Sequence, residues 1–175
     1  PAEGTWTLIA GTGIIAEPNN PNSAITGLSQ GTNVFVWTLE WDPCPNNGIL
    51  TDTVEVRVYN PNAPLANAGP DQQWCSPMDE VTMAGNVPEI PGVGTWTQVL
   101  GAPANIIAPN DASTSINGLG VGSYQFVWEI YNGQCGFGPP SRDTLQVEIF
   151  DTDAPDAQAG ADQSFCTPTN STTLA

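Results

Sequence analysis

Tyr124, Phe126, Trp128 and Ile130 alternate with Gln125, Val127 and Glu129. This two-residue period predicts a strand with one buried face. Leu145, Val147 and Ile149 alternate with Gln146 and Glu148 and predict a second such strand. Thr95-Trp96-Thr97 sets a Trp between β-branched polar residues, again a strand pattern. Val81–Gly85, Asn105–Ala108 and Ser113–Leu119 are shorter candidates. Turn clusters at Val87–Gly92, Gly101–Pro103, Pro109–Ala112, Gly118–Gly122 and Gly136–Pro140 separate them. No stretch carries a helical period.

About seven short strands in roughly ninety residues, with turns at regular spacing, is the pattern of an immunoglobulin-type β-sandwich. The pattern also recurs along the chain. GTWT at 4–7 returns at 94–97, Phe35 and Trp37 return as Phe126 and Trp128, and Asp52-Thr53 returns as Asp143-Thr144. Gly69, Asp71, Gln72 and Cys75 return as Gly160, Asp162, Gln163 and Cys166. From Ile25, which returns as Ile116, the shift is a constant 91 positions. The repeat divides the chain into 1–62, a sandwich repeat lacking its first strands; 63–153, a complete repeat; and 154–175, a linker and the first strand of another. Read this way, the sequence is an excerpt of a periodic protein. Trp96 and its counterpart Trp6 fall on the third strand, where such sandwiches bury a Trp.

Composition narrows the function. Eighteen acidic residues against two basic ones give a net charge of -16, with no His. Nucleic acid and anionic membranes both require Lys and Arg, so neither is an expected partner. No apolar run is long enough to span a bilayer. Acidity alone would suit a disordered chain, but only 11% of residues are charged and six are Trp, which argues for a packed core. Catalysis finds no constellation. Without His, a nucleophilic Ser or Cys lacks its usual base. The acids mostly lie on strand exteriors (Glu55, Glu129, Glu148) or in linkers, and the expectation is a non-enzyme.

Three weaker signals remain. The four Cys lack the short spacings and His partners of a zinc site, and the bland reading is buried thiols. Cys75 precedes the second strand and Cys135 follows the long sixth one. A Cys75–Cys135 bond would close a loop of about sixty residues and stabilise the sandwich by about 4 kcal/mol in the chain-entropy model. Cys44 and Cys166 would then pair with neighbouring repeats or copies. Asp151, Asp153, Asp156 and Asp162 cluster near a linker, a calcium candidate, although the equivalent stretch 60–67 carries no charge. No other cofactor is indicated. Trp41 has no Trp counterpart and is placed by its neighbours at a hairpin tip, where it would either stack on a sugar or partner, or pack locally.

The string GTWTQV, Ile116-Asn117-Gly118-Leu119, GSYQFVWEIYNG and Asp143-Thr144-Leu145-Gln146-Val147, preceded by ANAGPDQ and Cys75, resembles the PKD-like or immunoglobulin-like repeats of giant surface proteins of Bacteroidota. It is similar to repeats of the gliding-motility adhesin filament exported by the type IX secretion system. The resemblance implies an all-β chain of tandem β-sandwich domains of about 90 residues in an extracellular, cell-surface fibre. Adjacent repeats and surface polysaccharide would be its partners. Thr53 and Thr144 also match an Asp-Ser/Thr-aliphatic motif similar to the O-glycosylation motif of that phylum; the plainer reading is that Asp-Thr opens the last strand. A spacer or carbohydrate-binding module of a secreted polysaccharide-degrading enzyme is one alternative. A pilin-like subunit polymerising by strand exchange through 157–175 is the other.

Overall fold

The computed structural model describes residues 3–41, 48–133, 139–153, 155, 157–168, 171 and 173. Strands β1 (Glu3–Ala10), β2 (Ile14–Ile15), β3 (Ile25–Thr26), β4 (Gly31–Trp41) and β5 (Gly48–Val58) form the first repeat. Strands β6 (Gln72–Cys75), β7 (Glu80–Thr82), β8 (Val93–Leu100), β9 (Asn105–Ile106), β10 (Ser115–Asn117), β11 (Gly122–Tyr131) and β12 (Ser141–Phe150) form the second. Each strand of the second repeat except β6 lies within or beside a segment expected from the alternation.

The second repeat is a two-layer β-sandwich. One sheet runs β6-β12-β11-β8 and the other β7-β10-β9. All pairings are antiparallel except β6 beside β12. This is an immunoglobulin-like arrangement, in which the first edge strand joins the sheet of the last. The alternating residues of β11 and β12 point inward: Phe126, Trp128, Ile130, Leu145, Val147 and Ile149 are all buried, together with Trp96, Val81 and Ile116 from the other strands and Met83 just after β7. Tyr124, at the start of β11, is buried, and its hydroxyl donates to the Gly120 carbonyl at 3.2 Å and accepts from the Gly120 amide at 2.9 Å. That tie is the tyrosine corner of such sandwiches.

In the first repeat β1-β4-β5 make one sheet and β2-β3 a small ribbon. Its registers repeat those of the second: Trp6 opposite Trp37 opposite Asp52, as Trp96 opposite Trp128 opposite Asp143. The motif GTWT follows from this packing. A Cβ on Gly4 would lie 2.0 Å from the Trp37 ring, and one on Gly94 2.2 Å from the Trp128 ring. Only Gly lets the cross-strand indole lie down on the sheet. The indoles then tilt onto Trp6 and Trp96 with centroids 5.1 and 5.0 Å apart, within the range of favourable aromatic pairs.

Residues 1–62 hold no counterparts of β6 and β7, and burial records the difference. Leu145 is 0% exposed, whereas Val54 at the equivalent position is 41% exposed. Phe35 and Asn33 are the fully covered side chains there. Asn33 replaces Tyr124, and its side-chain amide donates to Ser29 O at 3.0 Å. Ser29 is the counterpart of Gly120, so a different residue makes the same tie. Residues 157–168 carry no strand, because the ladder partner of β6 is a β12-type strand. They keep one feature of the fold: Gln163 Nε2 donates to Thr173 O at 3.2 Å, as Gln72 Nε2 does to Thr82 O at 3.0 Å.

Candidate functional site at the inter-repeat junction

Among the described residues no three His, Cys, Asp or Glu side chains come together as a metal group. The most organised surface outside the cores is the junction between the repeats. Tyr59 and Asn60 follow directly from β5, and Gln30 precedes β4, so all three stand at one end of the first sheet. Glu89, Ile90 and Pro91 form the turn before β8, and Asn132-Gly133 follows β11, at the facing end of the second sandwich.

Glu89 joins the two ends. Its Oε2 accepts from Asn60 Nδ2 at 2.8 Å and from Gln30 Nε2 at 3.0 Å, while Gln30 Nε2 also reaches Ile90 O at 3.3 Å. The Asn60 and then the Gln30 hydrogen bond hold the Glu89 carboxyl below the ordinary carboxylate range, since both favour the charged form. Gly133, at φ +69°, packs flush on Tyr59, where a Cβ would lie 2.5 Å from the ring. The linker is stitched down as well. The Ala66 amide donates to Ser141 Oγ, the Asn67 amide to Asn86 Oδ1 and the Ala68 amide to Asp143 Oδ2, and Asn86 Nδ2 donates to Leu65 O, at 2.8 to 3.0 Å. Pro64 limits its freedom further, so the linker acts as a strut rather than a free coil.

These contacts give Asp143 a structural task. Its Oδ2 anchors the linker and its Oδ1 accepts from the Thr144 amide, as Asp52 Oδ1 does from the Thr53 amide. Thr53 and Thr144 are exposed on β5 and β12. The periodic Asp-Thr pair thus has a packing reason that sequence reasoning reached only as strand propensity.

Trp41 is not at a loop tip. It is the last residue of β4, paired with Gly48 and half-buried, with its indole lying where a Gly48 Cβ would be 2.2 Å away. The indole packs locally on Gly48 and stays half-buried. The Asp151 carboxylate accepts from the Asp153 amide at 2.9 Å, a local turn bond, and Asp162 is exposed. Asp156 lies outside the described residues, and among those described no three carboxylates converge.

Cys75 changes most. Its thiol is free and exposed. It pairs with Phe150 in the ladder of β6 and β12. Ser141 begins β12 at the opposite end, about 30 Å away at roughly 3.4 Å per residue. Tyr131 and Gly133 lie at that Ser141 end. A disulfide needs Cα atoms within about 7 Å. The expected Cys75–Cys135 bond joins this thiol to a residue whose place is not described. Cys135 and Cys44 lie outside the described residues, and Cys166 is a free, exposed thiol. Trp74, next to Cys75 in β6, is 41% exposed and donates to Gln72 Oε1.

No family model matches the chain. The dyslexia-associated protein KIAA0319 homolog of Mus musculus is 32% identical over 125 residues, covering 69% of this chain and 12% of that protein. The Homo sapiens protein is 32% identical over 126 residues, covering 70% and 12%. The chain thus spans about an eighth of the length of these curated relatives. Two solved structures are similar in part: the PKD domain from KIAA 1837 protein (TM-score 0.44, 21% identity, 54% of this chain and 93% of that one) and a PKD domain from human KIAA0319 (TM-score 0.41, 13% identity, 53% and 86%).

Proposed function

We propose that this chain is a segment of a tandem β-sandwich array on an extracellular surface, where it serves as a structural and adhesive fibre. The observation that carries the reading is the junction: two copies of one sandwich pattern, in register, locked end to end by Glu89, Tyr59 and a pinned linker. A fibre needs repeats that fold separately and joints that hold direction. The acidic surface keeps such a fibre soluble and self-repelling. Attachment or gliding on the cell surface is the finer form of this proposal, with adjacent repeats and surface polysaccharide as partners. Glycosylation of Thr53 and Thr144 is compatible with their exposure.

Force spectroscopy on the longer protein tests the array. Pulling should give a sawtooth whose steps each release one repeat, at most about 320 Å of extended chain. A single irregular release would count against tandem repeats.

Strand exchange has its own supporting observation. Val54 is 41% exposed on the face that a β6- and β7-type segment covers in the second repeat, and 157–168 is exposed and strandless. Light scattering of the purified chain separates the readings. Concentration-dependent polymers favour exchange between copies, and a monomer up to high concentration favours one long covalent array.

A further inference from the structure

Resting on the strand-exchange reading, we infer that the open edge of β5 takes residues 159–166 of a second copy of this chain. They lie on it as a parallel strand, in the register that β6 holds on β12.

In the second repeat two carboxylates fix where β6 lies. Asp143, on β12, accepts the Ala68 amide of the incoming segment through Oδ2 at 2.8 Å. Asp71, on the incoming segment, accepts the Gln146 amide of β12 through Oδ1 at 2.8 Å. Each side thus supplies one acceptor to the other. The ladder that follows sets Val147 beside Gln72 and Phe150 beside Cys75. A slip by one residue would break both bonds, so the pair fixes direction and offset together.

The first repeat keeps the acceptor half of this contact. Asp52 is the counterpart of Asp143. Its Oδ1 accepts from the Thr53 amide, as Asp143 Oδ1 does from the Thr144 amide, and its Oδ2 has no partner among the described residues. Glu55 stands opposite Val34 as Gln146 stands opposite Gln125, so its amide points out of the same edge. Val54, 41% exposed, holds the position of the buried Leu145. β5 is an edge strand of 11 residues, and a long uncovered edge is a template for another strand.

Residues 159–166 keep the donor half. Ala159, Asp162, Gln163 and Cys166 repeat Ala68, Asp71, Gln72 and Cys75 at the 91-residue shift. They are exposed and outside any strand. The clip from Gln163 to Thr173 O repeats that from Gln72 to Thr82 O.

The segment is too far from β5 of its own chain. Phe150 ends β12 about 30 Å from the joint, and Asp52 lies about 24 Å beyond the joint at the usual rise of a strand. The stretch from Phe150 to Ala159 spans at most about 32 Å. The occupant is therefore a second copy. Its Ala159 amide meets Asp52 Oδ2 and its Asp162 carboxylate meets the Glu55 amide. Gln163 then lies beside Val56, and Cys166 beside Tyr59. The contact between copies is the one the second repeat already makes within itself: main-chain bonds hold the strand, and the two carboxylates set its register.

Sedimentation velocity of residues 1–175 should show association that rises with concentration and is lost when residues 157–175 are removed. Asp162→Ala and Asp52→Ala should each weaken it about tenfold, the loss expected for a hydrogen bond to a charged group. Asp153→Ala, at an exposed carboxylate outside the contact, should leave it unchanged. Cys166, a free and exposed thiol, reports the register. A nitroxide on Cys166, in a chain whose other cysteines are replaced by Ser, should broaden the amide signals of Val58 and Tyr59 in an isotope-labelled second copy. Broadening elsewhere on β5, association indifferent to either Asp162→Ala or Asp52→Ala, or an equal loss in Asp153→Ala overturns the inference and leaves strand exchange standing. A chain that stays monomeric, or that associates equally without 157–175, overturns strand exchange and the inference together.

Discussion

Leu145→Ala and Val54→Ala test the central structural contrast, because the two positions are equivalent in register and opposite in burial. Leu145 faces Phe126 across the ladder and is fully covered; Val54 faces Phe35 and is 41% exposed. Truncating a covered Leu removes its transfer energy and leaves a cavity, about 3 kcal/mol in total. For a domain of this size that lowers Tm by roughly 12–24 °C. Truncating Val54 removes two methyl groups worth about 0.8 kcal/mol each when buried, and here they are covered little more than halfway. The expected cost is below about 1 kcal/mol, a shift of less than roughly 8 °C. Calorimetry gives both shifts, and peptide-resolved hydrogen exchange assigns each loss to β12 or β5. Equal losses would refute the argument that the β5 face lacks its covering layer, and a small loss at Leu145 would refute the placement of the core.

Gly94→Ala should destabilise the second repeat by about 1–3 kcal/mol, because the added methyl enters the Trp128 ring; urea denaturation followed by tryptophan fluorescence checks it. Asp143→Ala leaves the Ala68 amide without its charged acceptor and should cost about 1.5–3 kcal/mol, with faster exchange of the linker amides. Gly133→Val should open the joint without unfolding either repeat, seen in small-angle scattering as a broader distribution of shapes at unchanged circular dichroism. The Glu89 carboxyl is held below its ordinary range. Its contribution to the joint is therefore complete above that range and is lost as the pH falls through the lowered value. Orientation of the two repeats, followed by NMR relaxation, should loosen on acidification, and Glu89→Gln should remove the pH dependence.

The alternation at Tyr124–Ile130 and Leu145–Ile149 was enough to read β11, β12 and the inward face of each, since a half-buried strand must show its period in the side chains. The repeat identified Trp6 with Trp96 and Trp37 with Trp128 before any geometry was known. Long-range placement was not legible. The parallel pairing of β6 with β12, which sets Cys75 beside Phe150, joins residues 75 apart, and no local pattern announces it. Trp41 looked like a tip residue because its neighbours are Asp, Pro and Asn, whereas strand pairing extends to it. The Glu89 latch carried no signal, since a lone Glu in a Pro-rich turn reads as solvated. Asp143 was visible as a repeated Asp-Thr pair, and the repetition of Asp, not only of Thr, was the available clue.

The parallel pairing of β6 with β12 also sets an order of events. Gln73 and Glu148, neighbours in the folded repeat, are 75 residues apart in the chain. A contact of such long sequence separation forms late and slows folding. A repeat emerging from its N-terminal end cannot close its larger sheet until its last strand is available. The Gln–Thr clip seen at Gln163 and Thr173 is local and does not need that last strand. Folding along such a chain is vectorial and quantised: each repeat stays open for most of its own length, then closes in one step. The end of the sandwich where Phe150 and Val121 lie exposed is completed only by that closure.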